Sequence, residues 1–89
     1  MFKIMYDVPE HTMEALMRYV NDGIEPGGFL TAVLENDLVG AISRADILNT
    51  VHLKDIVMQV YWEIPSSAWG SAEKVKEWIE RGGINGQAA

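Results

Sequence analysis

Residues 46–65 read DILNTVHLKDIVMQVYWEIP, and this stretch decides the fold class. Its second half carries apolar residues at the i, i+3, i+4, i+7 spacing that places them on one face of an α-helix. These residues are Leu53, Ile56, Val57, Val60 and Ile64. Asp46 belongs to the residue types that cap helix N-termini, and Pro65 cannot continue a helix. We therefore predict a central helix between Asp46 and Pro65, in which Leu48 and Val51 extend the apolar stripe backwards.

A first helix is predicted on the N-terminal side of the central one, at about residues 8–21. Asp7 is its expected N-cap, Pro9 lies in the first turn, and Glu10 is placed for a capping box. An apolar stripe at helical spacing follows, and the Asn-Asp-Gly sequence at residues 21–23 ends the helix. The members of this stripe are Met13, Leu16, Met17 and Val20.

Shorter helical patterns fill the rest of the chain. One helix is predicted at about residues 27–35, a third after the cap sequence Asn36-Asp37, and a last one between the cap residue Ser71 and the glycines at 82–83. The predicted buried positions are Leu38, Ala41, Ile42 and Ala45 in the third helix and Val75, Trp78 and Ile79 in the last. The fold class predicted is all-α, a compact bundle of four to five helices.

The two ends of the chain are expected to lie outside this bundle. Phe2, Ile4 and Tyr6 alternate weakly, but a single strand has no sheet to join, so residues 1–6 are interpreted as a short extended arm. Residues 1–83 are predicted to form a single helical domain. Residues 84–89 are small and polar enough for a disordered C-terminal tail.

The composition narrows the classes of function. The 89 residues include no cysteine and carry a net charge of −6, which excludes thiolate metal sites and opposes binding to duplex nucleic acid or anionic lipid. No apolar run approaches the length of a membrane span, so we expect a cytoplasmic protein. A domain of this size buries a modest share of its surface on folding, and we therefore expect a homo-oligomer.

The strongest candidate for a ligand site is the sequence Pro26-Gly27-Gly28 before the second helix. Two glycines at a helix start leave backbone N–H groups open to a phosphate or carboxylate, although they also permit a tight turn with no ligand. Arg44 is the candidate cation, because a guanidinium can hold an anion bidentately. The alternative for Arg44 is a local salt bridge with Asp46 and Asp37.

Three aromatic residues complete the candidate sites. Trp69 lies in a predicted loop, where it either plugs one end of the bundle or offers a stacking platform to a base. Tyr61 and Trp62 are adjacent, and at 100° per residue only one of them can point squarely at the core. We expect a partly exposed aromatic patch at Tyr61 and Trp62 that serves as an interface.

No pattern in the sequence is typical of an enzyme. His52 and Asp55 are the only pair with conceivable metal-ligand spacing, and two ligands do not make a metal site. His11 is far from them in sequence, and no catalytic triad order or zinc-protease motif is present. We predict a binding protein without catalytic residues, metal or cofactor.

Five segments resemble a group of small tailed-phage and prophage proteins of unknown function. They are residues 8–12 (VPEHT), 23–30 (GIEPGGFL), 32–38 (AVLENDL), 44–46 (RAD) and 69–75 (WGSAEKV). The pattern is specific in combination, although each piece alone is common, and it covers about residues 8–80. The chain departs from it at Glu25, where proline is usual, and at residues 67–68, where a cysteine often precedes the tryptophan.

This resemblance implies a phage accessory protein made in the host bacterial cytoplasm. Small phage proteins of this class often counteract host defences, which gives two hypotheses. In the first, Gly27, Gly28, Arg44 and Trp69 bind and sequester a phosphorylated, for example cyclic, nucleotide signal. In the second, the protein inhibits a host or defence enzyme, such as a CRISPR effector or nuclease, through its acidic and aromatic surface. A role in virion assembly or regulation is a further alternative.

Overall fold

The computed structural model describes residues 6–86, and within them the all-α prediction is confirmed. This part of the chain forms seven α-helices and one 3-10 turn, with no strand. Five of the helices have seven residues or more. The elements are α1 (Glu10–Asp22), α2 (Gly28–Leu34), α3 (Leu38–Arg44), α4 (Ile47–Val51), α5 (Leu53–Glu63), the 3-10 turn (Ser66–Ala68), α6 (Ala72–Arg81) and α7 (Gly83–Gly86).

The core is centred on Tyr19 of α1. Its side chain is fully buried, and its hydroxyl donates a hydrogen bond of 2.6 Å to the carbonyl oxygen of Ala68. The Tyr19 carbonyl in turn accepts a bond of 2.9 Å from the indole Nε1 of Trp78. Burial raises the pKa of the Tyr19 phenol well above its ordinary value, because the phenolate would lose its hydration. These bonds fasten the 3-10 turn and α6 to α1.

Three predicted N-caps are confirmed. Asp37 accepts a hydrogen bond from the Gly40 N–H, Asp46 from the Asn49 N–H and Ser71 from the Lys74 N–H. The start of α1 differs from the prediction, because Pro9 rather than Asp7 is its N-cap and no side chain caps it. The Asp7 carboxylate lies instead 3.7 Å from His52 Nδ1.

The predicted central helix is divided in two. The chain turns at His52, which has φ −102° and ψ 18°, so that α4 and α5 are separate helices. Ile56, Val60 and Ile64 are buried as predicted and Leu53 is partly buried, whereas Val57, Leu48 and Val51 are exposed. The turn at His52 changes the direction of the helix, and the stripe predicted for an unbroken helix therefore does not reach α4.

The predicted buried face of α3 is wrong at two of its four positions. Leu38 and Ile42 are exposed, Ala41 is buried, and Ala45 is half-buried against the core. Gly40 is also buried, under the side chains of Asp37 and Arg44, and α3 packs beside its neighbour α2. Close approach of two helix backbones favours small side chains, which leaves the larger ones of α3 facing outwards.

The C-terminal end of the described chain packs on α1 through a pair of glycines. Gly23 and Gly83 both have positive φ, and a Cβ atom built on Gly83 would lie 2.6 Å from the Gly23 nitrogen. The expected tail from residue 84 is therefore wrong for residues 84–86, which belong to α7. Residues 87–89 lie outside the described range, as do residues 1–5 of the expected arm.

Between residues 6 and 86, none of the helices has the length and apolar character needed to cross a bilayer.

Candidate functional site

A polar cavity of about 230 Å³ lies where α1, the start of α2, the end of α3 and the start of α4 meet. We call it the glycine cavity. It is lined by His11, Thr12, Ala15, Pro26, Gly27, Gly28, Phe29, Leu30, Arg44, Asp46 and Asn49. Three of the four predicted ligand residues, Gly27, Gly28 and Arg44, are thus brought together by the fold.

Two glycines make room for the Arg44 side chain. A Cβ atom built on Gly28 would lie 3.0 Å from Arg44 Cδ, and one on Gly40 would lie 2.8 Å from Arg44 Nη1. Nη1 also donates a hydrogen bond of 3.3 Å to the Gly40 carbonyl oxygen. The φ angle of Gly28 is not positive. The absence of a side chain at this position is therefore explained by the close contact with Arg44 rather than by the backbone turn.

The local salt bridge considered for Arg44 is absent among residues 6–86. No carboxylate oxygen lies within 4.0 Å of its guanidinium, because Asp37 and Asp46 cap helices instead. Arg44 therefore retains guanidinium N–H donors that an anion could accept from.

Asp46 is the only carboxylate that lines the glycine cavity, and both of its oxygens are engaged. Oδ1 accepts a hydrogen bond of 2.7 Å from the Asn49 N–H, and Oδ2 lies 3.3 Å from His11 Nε2. A carboxylate held in this way repels an incoming anion less than a free one, since the groups that hold its oxygens offset part of its charge.

Thr12 and Asn49 form the polar wall of the cavity. Their side chains are 2% and 6% exposed, and the Thr12 hydroxyl donates to Asn49 Oδ1 at 2.5 Å. The side-chain amide of Asn49 adds a hydrogen-bond donor to this wall.

Sequence reasoning missed Thr12, Asn49 and His11. Thr12 and Asn49 are 37 positions apart, and no local pattern marks either of them. Only the packing of α4 beside α1 brings the two side chains together.

The physical reason for glycine at position 27 differs from the reason at position 28. Its φ is +90°, and nothing lies within 4 Å of a Cβ atom built on it. The backbone conformation alone therefore explains Gly27, since L-residues with a side chain adopt this region at a cost. No side chain caps α2, which follows directly.

Arg44 and Gly28 also line a second cavity of about 180 Å³, on whose wall three acidic residues lie. They are Glu25, Glu35 and Asp37. Arg44 therefore lies between this acidic cavity and the glycine cavity. The negative charge of the three carboxylates limits how much anionic charge the glycine cavity can bind.

Trp69 is not part of the glycine cavity. It lines a separate cavity of about 100 Å³ between α3 and α5, which shares no residue with the first. Its indole packs against the core and is partly buried, in agreement with the alternative that it plugs one end of the bundle. Its Nε1 is buried without a partner in the described structure.

The predicted aromatic patch is exposed at both of its residues, and its role as an interface stays a prediction. Tyr61 and Trp62 are both exposed, and their rings meet edge to face with centroids 4.8 Å apart. The Tyr61 ring lies 5.8 Å from that of Trp69 on its other side.

Residues 6–86 contain no group of three or more side chains placed to hold a metal ion. The chain matches no protein-family model, and comparison with curated proteins and with solved structures found no match. The resemblance to phage accessory proteins accordingly stays a prediction.

Proposed function

We propose that this protein binds and sequesters a small phosphorylated ligand, with a nucleotide signal of a bacterial anti-phage defence as the leading candidate. The observation that carries the proposal is the Arg44 guanidinium, which lines the glycine cavity without a carboxylate partner among the described residues. The side-chain amide of Asn49 lies in the same wall. These groups supply charge-assisted and neutral donors to one anion.

The charge of the cavity favours a ligand with few negative charges. Arg44 is its one fixed cation, and the carboxylate of Asp46 is already engaged by the Asn49 N–H and His11. A phosphodiester carries one negative charge per phosphate, whereas a nucleoside triphosphate would require several cations or a metal ion. The proposed ligand class is therefore a cyclic nucleotide or a related diester.

The size of the cavity decides which part of the ligand is enclosed. Its volume of about 230 Å³ is below the roughly 300–1,000 Å³ of pockets that enclose drug-sized ligands. We expect it to hold one phosphate with its sugar and to leave the base outside. Trp69 supplies no stacking surface here, because it lines another cavity.

Calorimetry of the full chain against cyclic mononucleotides, cyclic dinucleotides and ADP-ribose-type nucleotides tests the proposal. We expect Arg44→Gln to weaken binding at least about tenfold, because a charge-assisted hydrogen bond is worth about 1.5–3 kcal/mol. Arg18→Gln is the matched control, since Arg18 is an exposed arginine of α1 that does not line the cavity. Absence of binding by the wild-type protein across the panel, or equal loss in both variants, would overturn the proposal.

A further inference from the structure

The exposed apolar side chains of this protein are concentrated in three consecutive helices. Of the eleven large apolar residues exposed in the described chain, nine belong to α3, α4 and α5, with exposed fractions between 36% and 83%. They are Leu38, Val39, Ile42, Ile47, Leu48, Val51, Val57, Tyr61 and Trp62. We call this set the apolar face.

The structure connects α3 and α5 within the apolar face. Leu38 of α3 and Val57 of α5 line the same cavity, whose wall also contains Trp69. Tyr61, one turn after Val57, contacts Trp69 on one side and Trp62 on the other. The apolar surface thus runs across the groove between α3 and α5, whereas Leu48 of α4 lines a different cavity.

The extent of the apolar face is that of a protein interface. Its six residues on α3 and α5 alone expose on the order of 700 Å², compared with about 300–600 Å² for the largest apolar patch of a typical monomer and about 800 Å² per partner in a standard interface. A partner that covers this much apolar surface lowers the free energy of the system, because the surface is removed from water.

The charge distribution indicates which partner fits. Residues 38–62 contain two basic residues, Arg44 and Lys54, and two acidic ones, Asp46 and Asp55, so their net charge is zero. The whole net charge of −6 therefore lies on the rest of the chain. Asp37 and Glu63 flank this range, and Asp37 lines the same cavity as Leu38 and Val57. Two copies that meet here therefore bring together two net negative charges each rather than six, which lowers the electrostatic obstacle to self-association.

We infer that the apolar face is the contact surface of a homodimer, with a second copy of this chain as its occupant. An isologous contact brings the same patch of each copy together, and an apolar patch of low charge is complementary to itself. The contact also adds apolar burial that a domain of this size lacks on its own. The inference does not depend on the proposed ligand, because Trp62, Val39 and Ile47 do not line the glycine cavity.

Sedimentation of the full chain at about 100 µM, which populates a dimer with a micromolar Kd, tests the inference. We expect a species of twice the chain mass of 9.9 kDa. The triple variant Val39→Lys, Ile47→Lys and Trp62→Lys should sediment as a monomer with at least about a hundredfold weaker self-association, because it places like charges opposite each other in an isologous contact. These lysines move the net charge towards zero, so general repulsion cannot cause the loss.

The double variant Ile24→Lys and Ile84→Lys is the matched control, since both residues are exposed isoleucines outside the apolar face. It should dimerise like the wild type, and circular dichroism should show native helix content in both variants. A monomeric wild type, or a triple variant that still dimerises, would overturn the inference. A wild type that is monomeric alone but binds a host protein through Trp62 would also overturn it and would favour the inhibitor hypothesis.

Discussion

The glycine cavity and the apolar face are built in opposite ways. The cavity collects residues from α1, α2, α3 and α4, and its decisive contact joins Thr12 to Asn49, 37 positions away. The apolar face comes from one uninterrupted part of the chain, residues 38–62. A long-range polar site depends on the whole fold, whereas a surface carried by consecutive helices depends mainly on their local rotation. A substitution in one region should therefore leave the other region unchanged, whereas a substitution in the shared core should affect both.

The largest effect is expected from Gly83→Ala, which disturbs the scaffold that both regions share. The new Cβ atom would lie 2.6 Å from the Gly23 nitrogen and 2.7 Å from the Asn21 carbonyl oxygen, in a residue with φ +69°. Backbone atoms cannot move aside as a flexible side chain does, so the free energy of unfolding should fall by about 2–5 kcal/mol. Urea denaturation measures this loss, and an unchanged midpoint would show that α7 does not pack as described.

Thr12→Val should damage the glycine cavity and leave the apolar face intact. It removes the hydroxyl that donates to Asn49 Oδ1 and leaves a buried oxygen unpaired, which costs about 1–3 kcal/mol in the free energy of unfolding. Self-association measured by sedimentation should not change. Thr50→Val is the control, because the Thr50 hydroxyl is exposed and bonds only to the Asp46 carbonyl oxygen of its own helix. Equal losses in the two variants would contradict the buried role of Thr12.

The pH dependence of stability tests the core on which both regions rest. Burial raises the pKa of Tyr19, so the folded state resists ionisation while the unfolded phenol titrates near its ordinary value of 10.0. The contribution of the neutral Tyr19 side chain to the free energy of unfolding is therefore present below pH 10 and is lost as the pH rises above it. Denaturation at pH 9 and pH 11, on either side of the ordinary tyrosine pKa of about 10, should show a smaller alkaline loss in Tyr19→Phe than in the exposed control Tyr61→Phe. Parallel losses would disprove the assignment.

The smallest effect on stability is expected from Gly28→Ala, compared with Gly27→Ala. Alanine at Gly28 gains up to about 1 kcal/mol of helix propensity but must displace Arg44 Cδ, so the free energy of unfolding should change by less than about 1 kcal/mol. Alanine at Gly27 has space but must adopt φ +90°, at a cost of about 1–2 kcal/mol.

Ligand binding provides the second measurement for this pair. Gly28→Ala should weaken nucleotide binding in calorimetry, because it shifts the guanidinium, and it should reduce the protein's activity in a phage-protection assay. A stable Gly28→Ala variant with full binding and full activity would remove Gly28 from the proposed site.

Local features of this fold could be predicted because they involve neighbouring residues. The caps by Asp37, Asp46 and Ser71 join a side chain to a backbone N–H three positions later, so their residue types are sufficient to identify them. Helix geometry likewise predicts that at least one of Tyr61 and Trp62 lies away from the core, since adjacent residues cannot both point at it, whereas the exposure of both does not follow from the sequence.

The amino-acid sequence by itself determined that this protein is helical, where most of its helices begin, and that Gly27, Gly28 and Arg44 are available for a site. Tertiary structure decided which face of each helix is buried, because helical spacing predicts a stripe but not the neighbour that covers it. It exposed Leu38 and Leu48 and buried Asn49. It also placed Trp69 away from Arg44, since the separation of two loops depends on how the helices between them pack, and that packing is a property of the whole chain.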